Sequence, residues 1–138
     1  SVLKRMRKPD FRNFELFLKR FQKANRQVGK NQQLIPYLIS SFPGCTLENM
    51  AQLAVKCKAN NLITDQVQDF TPTPMTYATA LYYLGFDPYT GEKIPVARKV
   101  DDKRNQHLFF FYKKLENRER VSALLTKIDR QDLKRKLF

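Results

Sequence analysis

Leu34-Ile35-Pro36-Tyr37-Leu38-Ile39-Ser40-Ser41-Phe42-Pro43-Gly44-Cys45-Thr46 is the stretch on which the fold turns. A short, unbroken apolar run rich in β-branched and aromatic side chains predicts a strand buried on both faces, over residues 34–39. Pro36 cannot donate to a ladder, so it belongs near the strand's start or at an edge. Ser-Ser and then Pro-Gly end the strand in a loop, and Thr46 is placed to cap the helix that follows. Leu47, Met50, Ala54 and Cys57 would share one face of that helix, which Asn60-Asn61 ends.

Beyond this unit the pattern repeats. Residues 63–70 read as a second strand, interrupted by Asp65, Gln66, Gln68 and Asp69. A loop follows, and Thr73 with Pro74 at the first helical position opens a third helix that stops at Gly85. Strand, helix, strand, helix at these lengths means a parallel α/β unit. Two strands are too few to close a barrel or finish a sheet, so the unit reads as part of something larger. The chain begins at Ser1, not methionine, and this too reads as a piece of a longer polypeptide.

Upstream, Phe11, Phe14, Phe17, Leu18 and Phe21 form an aromatic stripe on a helix over 10–27, with Asp10 as N-cap and Gly29 as stop. The stripe is expected to be core. Downstream, residues 87–91 read as a turn, 94–96 as a short extended piece and 98–104 as a charged linker. Leu108, Phe111, Tyr112 and Leu115, then Val121, Leu124, Leu125 and Ile128, both repeat at helical spacing, so an αα-hairpin is expected. A last helix from Arg130 would bury Leu133 and Leu137.

The 138 residues are 42% hydrophobic and 28% charged, enough for one packed domain. Net charge is +13. Residues 1–33 carry ten basic and two acidic groups, 34–97 three and five, and 98–138 thirteen and six. An apolar, slightly acidic middle therefore lies between two basic flanks. No window is apolar enough to span a membrane, and no secretory leader opens the chain, so a cytoplasmic protein without a membrane partner is expected. Cys45 and Cys57 make no C-x-x-C pair, and with the single His107 they cannot complete a four-ligand metal site.

Candidate chemistry concentrates at residues 39–46. In parallel α/β architecture ligands bind at the carboxyl ends of strands, and a helix N-terminus there favours anions. A plain turn between strand and helix explains the same residues. Cys45 lies where a helix start would lower its thiol pKa, but a small buried residue is the simpler reading. His107 stands alone beside Gln106. Asp65 and Asp69, four apart on a strand, would face the same side.

Three motifs then match a known family. Val2-Leu3-Lys4-Arg5-Met6-Arg7-Lys8-Pro9, the stretch from Leu34 to Thr46, and Gln66-Val67-Gln68-Asp69-Phe70-Thr71-Pro72-Thr73-Pro74 resemble the C-terminal half of the YgiQ-type radical S-adenosylmethionine proteins. Met75-Thr76-Tyr77-Ala78-Thr79, Tyr82-Tyr83, Gly85 and Asp87-Pro88 continue the match, and residues 98–133 resemble that family's uncharacterised C-terminal extension. The resemblance implies two regions. Residues 1–97 would be the last part of an incomplete radical S-adenosylmethionine (β/α) barrel, and 98–138 a basic helical extension. It implies that 39–46 holds the fifth barrel strand and its loop, and 66–74 the sixth. Ile39, Ser40, Ser41 and Gly44, with Phe70, Thr71 and Pro72, would then contact S-adenosylmethionine. A four-iron four-sulfur cluster on a C-x-x-x-C-x-x-C loop would belong to the longer parent, upstream of Ser1. The present segment, which lacks that loop, would bind neither group and be inactive alone. Its partner would be the missing N-terminal part of the same polypeptide. A second expectation, from charge, is a non-catalytic basic module binding RNA or another polyanion through residues 1–33 and 98–138. A third makes the helical tail a docking surface for a protein or a second copy.

Overall fold

A computed structural model describes residues 2–138 and divides the chain into two compact units, meeting in sequence between Leu34 and Ile35. The first unit holds helices α1 (Val2–Arg5) and α2 (Phe11–Gln27). Asp10 caps α2 by accepting a hydrogen bond from the Arg12 amide at 2.9 Å, as the sequence predicts. The stripe is less buried than expected. Phe11 packs on Phe14 and Phe17 on Phe21, yet only Leu18 is buried and Phe17 remains 50% exposed. Helical spacing sets which side chains share a face, but one long helix and a four-residue turn have too little surface to cover that face.

The second unit, Ile35–Phe138, runs β1 (Leu38–Ser40), α3 (Leu47–Ala59), β2 (Val67–Asp69), α4 (Tyr77–Leu84), α5 (Val100–Leu108), α6 (Leu115–Lys127) and α7 (Gln131–Leu137). It is mixed α/β and mostly helical. β1 and β2 pair in parallel, Leu38 opposite Val67 and Ser40 opposite Asp69, with α3 as the crossover. Both strands are shorter than predicted. Pro36 has no N–H, and the ladder starts only where the Leu38 amide donates to the Gln66 carbonyl at 3.0 Å. Asp65 falls outside β2, so the expected same-face pair with Asp69 does not form on a strand.

Helix α3 follows its sequence closely. Thr46 and Asn49 close a reciprocal capping box, and Met50, Ala51, Ala54 and Cys57 are buried. Helix α4 starts three residues later than predicted, on Thr76. Met75 takes a left-handed φ of +63°, which breaks the helix between Thr73 and Thr76. The Thr73 carbonyl instead accepts the Thr76 and Thr79 hydroxyls at 2.9 and 2.6 Å. Gly85 ends α4 in the left-handed region, where a side chain would be strained. The turn at 87–91 forms as expected, closed by the Gly91 amide donating to the Asp87 carbonyl at 2.7 Å.

The tail departs most from its sequence reading. The charged stretch read as a linker is the first half of α5, where Asp101 and Asp102 complement the N-terminal dipole. The chain then leaves the α-helix for a 3₁₀ turn over Phe109–Phe111, which buries Phe109 and Phe110 and leaves Leu115 83% exposed. The expected first arm of the hairpin is therefore replaced by a helix ending at Leu108. The second arm is borne out, with Val121, Leu124 and Leu125 buried, and so is α7 with Leu133 and Leu137. Helix α5 packs on α3, on α6 and on both strands, while α7 packs on α3 and α6.

Helix α7 is anchored electrostatically as well as by its leucines. The Arg130 guanidinium donates to both Asp132 oxygens at 2.7 and 2.6 Å and reaches Glu48 of α3. Lys58 donates to the Lys136 and Leu137 carbonyls at 3.1 and 3.0 Å, satisfying the helix's last turn. The Arg130 hydrogen bond lowers the Asp132 carboxyl from 3.8 to about 2. A depressed folded pKa adds stability that is complete above the unfolded value and is lost as pH falls through the folded one. The protection of α7 amides, measured as exchange relative to the unfolded chain at the same pH, should therefore hold down to about pH 4 and fall between about pH 4 and 2. Asp132→Asn should remove most of that acid dependence; an unchanged acid limb in this variant would refute the assignment.

Candidate functional site

The strands end level with each other. The Phe70 amide donates to the Ser40 carbonyl at 2.9 Å, so the loops after β1 and β2 leave the sheet side by side at its carboxyl edge. Phe42 of the first loop meets Phe70 of the second edge-on at 5.3 Å. Phe70 continues onto Tyr82 at 5.8 Å, and the Lys103 ammonium lies 5.5 Å over the Tyr82 ring. Parallel pairing has thus brought the two sequence-predicted groups, Ile39–Ser40–Ser41–Gly44 and Phe70–Thr71–Pro72, into one neighbourhood.

Within it their side chains differ in what they offer. Ile39, Phe70 and Pro72 are half-buried and Thr71 is exposed, so these four retain surface for a ligand. Ser40 and Ser41 are buried, as is Gly44, whose amide is taken by the Pro95 carbonyl at 2.8 Å. The Ser40 hydroxyl donates to Asp69. The Ser41 hydroxyl is a buried polar group with no partner among the described residues, on a residue held at φ +61°.

Two residues that sequence reasoning left aside complete the site, both from α5. Gln106 is buried and bridges the first loop: the Ser41 amide donates to its Oε1 at 3.0 Å, and its Nε2 donates to the Cys45 carbonyl at 3.1 Å. His107 places Nδ1 at 3.4 Å from both Ser40 Oγ and Asp69 Oδ1, and its ring stacks on Phe111 at 5.1 Å. This Ser, His and Asp do not form a nucleophilic triad. A triad needs the serine on one ring nitrogen and the carboxylate on the other. Here both crowd the same nitrogen, and the serine proton points to the carboxylate. The cluster ties α5 to the strand ends.

The thiols are inert by environment. Burial pushes Cys45 up to about 12, partly offset by a hydrogen bond with the Thr46 backbone, and pushes Cys57 up to about 11. Among the described residues no group of three or more His, Cys, Asp or Glu side chains is gathered to hold a metal. Two buried cysteines do not fit a four-iron four-sulfur cluster. The N-terminus of α3 is also committed: its capping box is filled, and Glu48 brings a negative charge to its first turn. A cleft of about 220 Å³ beside it is lined by Thr46, Pro95, Asn105 and the Asp102 carboxylate, an uninviting surface for an anion.

Residues 65–135 match the domain of unknown function DUF3362, just over half the chain. The chain belongs to this family. The DUF3362 region thus takes in β2, α4 and almost the whole helical tail. Over nearly its full length the chain is also similar to proteins named UPF0313, the YgiQ-type family the sequence resembles. It is 52% identical to one from Porphyromonas gingivalis over 99% of the chain and 22% of that protein. It is 39% identical to one from Methanocella arvoryzae over 96% of the chain and 22% of that protein, and 41% identical to one from Geobacter sulfurreducens over 96% and 22%. The chain therefore spans about a fifth of the length of these relatives, as their C-terminal part. No solved structure matches it. No helix among the described residues is long and apolar enough to cross a membrane.

Proposed function

We propose that the chain is the closing segment of a radical S-adenosylmethionine iron–sulfur enzyme of the cytosol. β1 and β2 are the last strands of its incomplete (β/α) barrel, residues up to 97 belong to that barrel, and residues 98–138 form a basic helical extension over it. The observation that carries this is the in-register parallel pairing of β1 with β2, which sets both motif-bearing loops at one carboxyl edge. A two-stranded parallel sheet is an unfinished object. Parallel sheets are found covered on both faces and in larger assemblies, and a pair of three-residue strands is not stable alone. The remaining edges are served if preceding strands of the longer polypeptide pair there, which makes that polypeptide's N-terminal part the essential partner.

On this reading Ile39, Phe70, Thr71 and Pro72 offer side-chain surface to S-adenosylmethionine, and residues 40–44 shape the wall through their backbone. When bound with an iron–sulfur cluster, the cofactor supplies a 5′-deoxyadenosyl radical that takes hydrogen from substrate. This chain's residues bind, orient and exclude water, and the cluster's ligands must lie elsewhere in the longer protein.

The test is anaerobic reconstitution of the longer protein with iron and sulfide, then addition of reductant and S-adenosylmethionine. 5′-Deoxyadenosine is expected, and truncation before Ile35 should abolish it. A reconstituted protein with an intact cluster that forms no 5′-deoxyadenosine would rule the proposal out.

A further inference from the structure

The loop at residues 41–45 is held in place from outside the α/β unit. Its own sequence does not fix its path, because Ser41 sits at φ +61° and Gly44 at φ +88°. Glycine tolerates that region and serine resists it. Within the loop the Cys45 amide turns back to the Phe42 carbonyl at 2.8 Å, and Gly44 is tied to Pro95. The Ser41 amide and the Cys45 carbonyl, at its two ends, would otherwise be buried and unpaired.

One side chain serves both. Gln106 presents its amide oxygen to the first and its amide nitrogen to the second, so a planar group with one acceptor and one donor spans the loop's mouth. It is 5% exposed, and a buried primary amide matched at both ends specifies geometry more than it adds adhesion. Helix α5 does not need these bonds to dock, since Leu108, Phe109 and Phe110 beside it are buried. His107, one residue on, meets Ser40 and Asp69 at the last register position of both strands.

We infer that Gln106 is a positioning residue for the cofactor wall: the DUF3362 region reaches back through α5 and sets the backbone of residues 41–45 in its binding shape. This rests on the proposal that the loop walls an S-adenosylmethionine pocket. Gln106 itself touches no cofactor; it acts through Ser41 and Cys45.

The experiment uses the longer, reconstituted protein and compares Gln106→Met, which keeps the volume and removes both bonds, with Gln106→Glu, which as a carboxylate keeps the acceptor for Ser41 but sets a second acceptor against the Cys45 carbonyl. Leu137→Ala is the control, because it loosens the end of α7 that lies against Lys58 in the last turn of α3, at the other end of that helix from the loop. Two quantities are read: the dissociation constant for S-adenosylmethionine by equilibrium dialysis, and hydrogen exchange at residues 41–46 without cofactor. Gln106→Met should weaken binding about ten-fold and speed exchange at 41–46 while α6 stays protected. Gln106→Glu should lose at least as much, because its buried carboxylate faces the Cys45 carbonyl, and the two variants together keep the comparison should one of them fail to fold. Leu137→Ala should lower the Tm yet leave binding within about two-fold. A parent that binds while both Gln106 variants bind equally well overturns the positioning role and leaves the proposed function standing. Equal losses in the Gln106 variants and Leu137→Ala, at matched Tm, overturn it too. A parent with an intact cluster that binds no S-adenosylmethionine removes the proposed function, and this role with it.

Discussion

Phe109→Ala is expected to destabilise the second unit by about 3–5 kcal/mol, enough to unfold most domains of ordinary stability. Phe109 is wholly buried in the 3₁₀ turn between α5 and α6, a turn that also packs on α3, so deleting its ring opens a cavity where three helices meet. Two comparison variants make the result diagnostic. Helical spacing in the sequence pairs Phe111 with Leu115 on one buried face, and by that pattern Leu115→Ala would be costly. Leu115 is 83% exposed, so its replacement should change stability by no more than about 0.5 kcal/mol. Phe111 is half-buried under His107 and should fall between them. Urea unfolding followed by far-UV circular dichroism reads all three. A small loss at Phe109 with a large one at Leu115 would restore the continuous helix and overturn the turn seen here.

That contrast shows where the sequence is legible. Elements whose signals are local and redundant come through. The cap at Thr46 and the stop at Gly85 are each written in a single residue, and the structure has both where the sequence predicts them. The parallel pairing of β1 and β2 follows from element order and helix length, so it too was legible. Apolar periodicity was less informative. It found α2 and α6 but overstated the burial of Phe17, because it reports a shared face and not what covers that face. Across residues 100–111 it is right about Leu108, which is helical and buried, but it misses the first half of α5 and the 3₁₀ turn that follows. Helix α5 buries Gln106 along with Leu108, so it has no clean apolar stripe, and its polar residues looked like a linker.

The same blindness hid half of the site. Ile39, Ser40 and Phe70 are candidates through the family resemblance, and residues 39–46 also carry the local signal of a strand end followed by a helix cap. Gln106 and His107 carry no such flag, since a lone amide and a lone imidazole are ordinary on any exposed helix. Only the fold places them against residues 40–45, more than sixty positions earlier in the chain. The one available hint was their position just before three consecutive phenylalanines. A polar pair adjoining so apolar a run is drawn inward with it, and once buried it must find partners. The partners within reach were the backbone groups that the loop could not satisfy for itself.

Alkylation of the two thiols should separate folded from unfolded chain by the second large effect. With Cys45 pushed up to about 12 and Cys57 to about 11, both by burial, the thiolate fraction at pH 8 is about one in ten thousand and one in a thousand. In the unfolded chain, at an ordinary value of 9.0, it is about one in ten. Iodoacetamide should therefore label the native protein at least about a hundred-fold more slowly than the urea-unfolded one, with Cys57 reacting ahead of Cys45. Mass spectrometry of tryptic peptides over time gives both rates. Cys45 and Cys57 are also buried with no group of three or more His, Cys, Asp or Glu side chains gathered around them among the described residues, so neither sits in a set of ligands. In the longer protein, then, Cys45→Ser and Cys57→Ser should leave iron content unchanged, provided each variant folds. Rapid native labelling of Cys45, or iron lost from its serine variant, would mean that the loop opens to solvent and that this chain supplies a ligand after all.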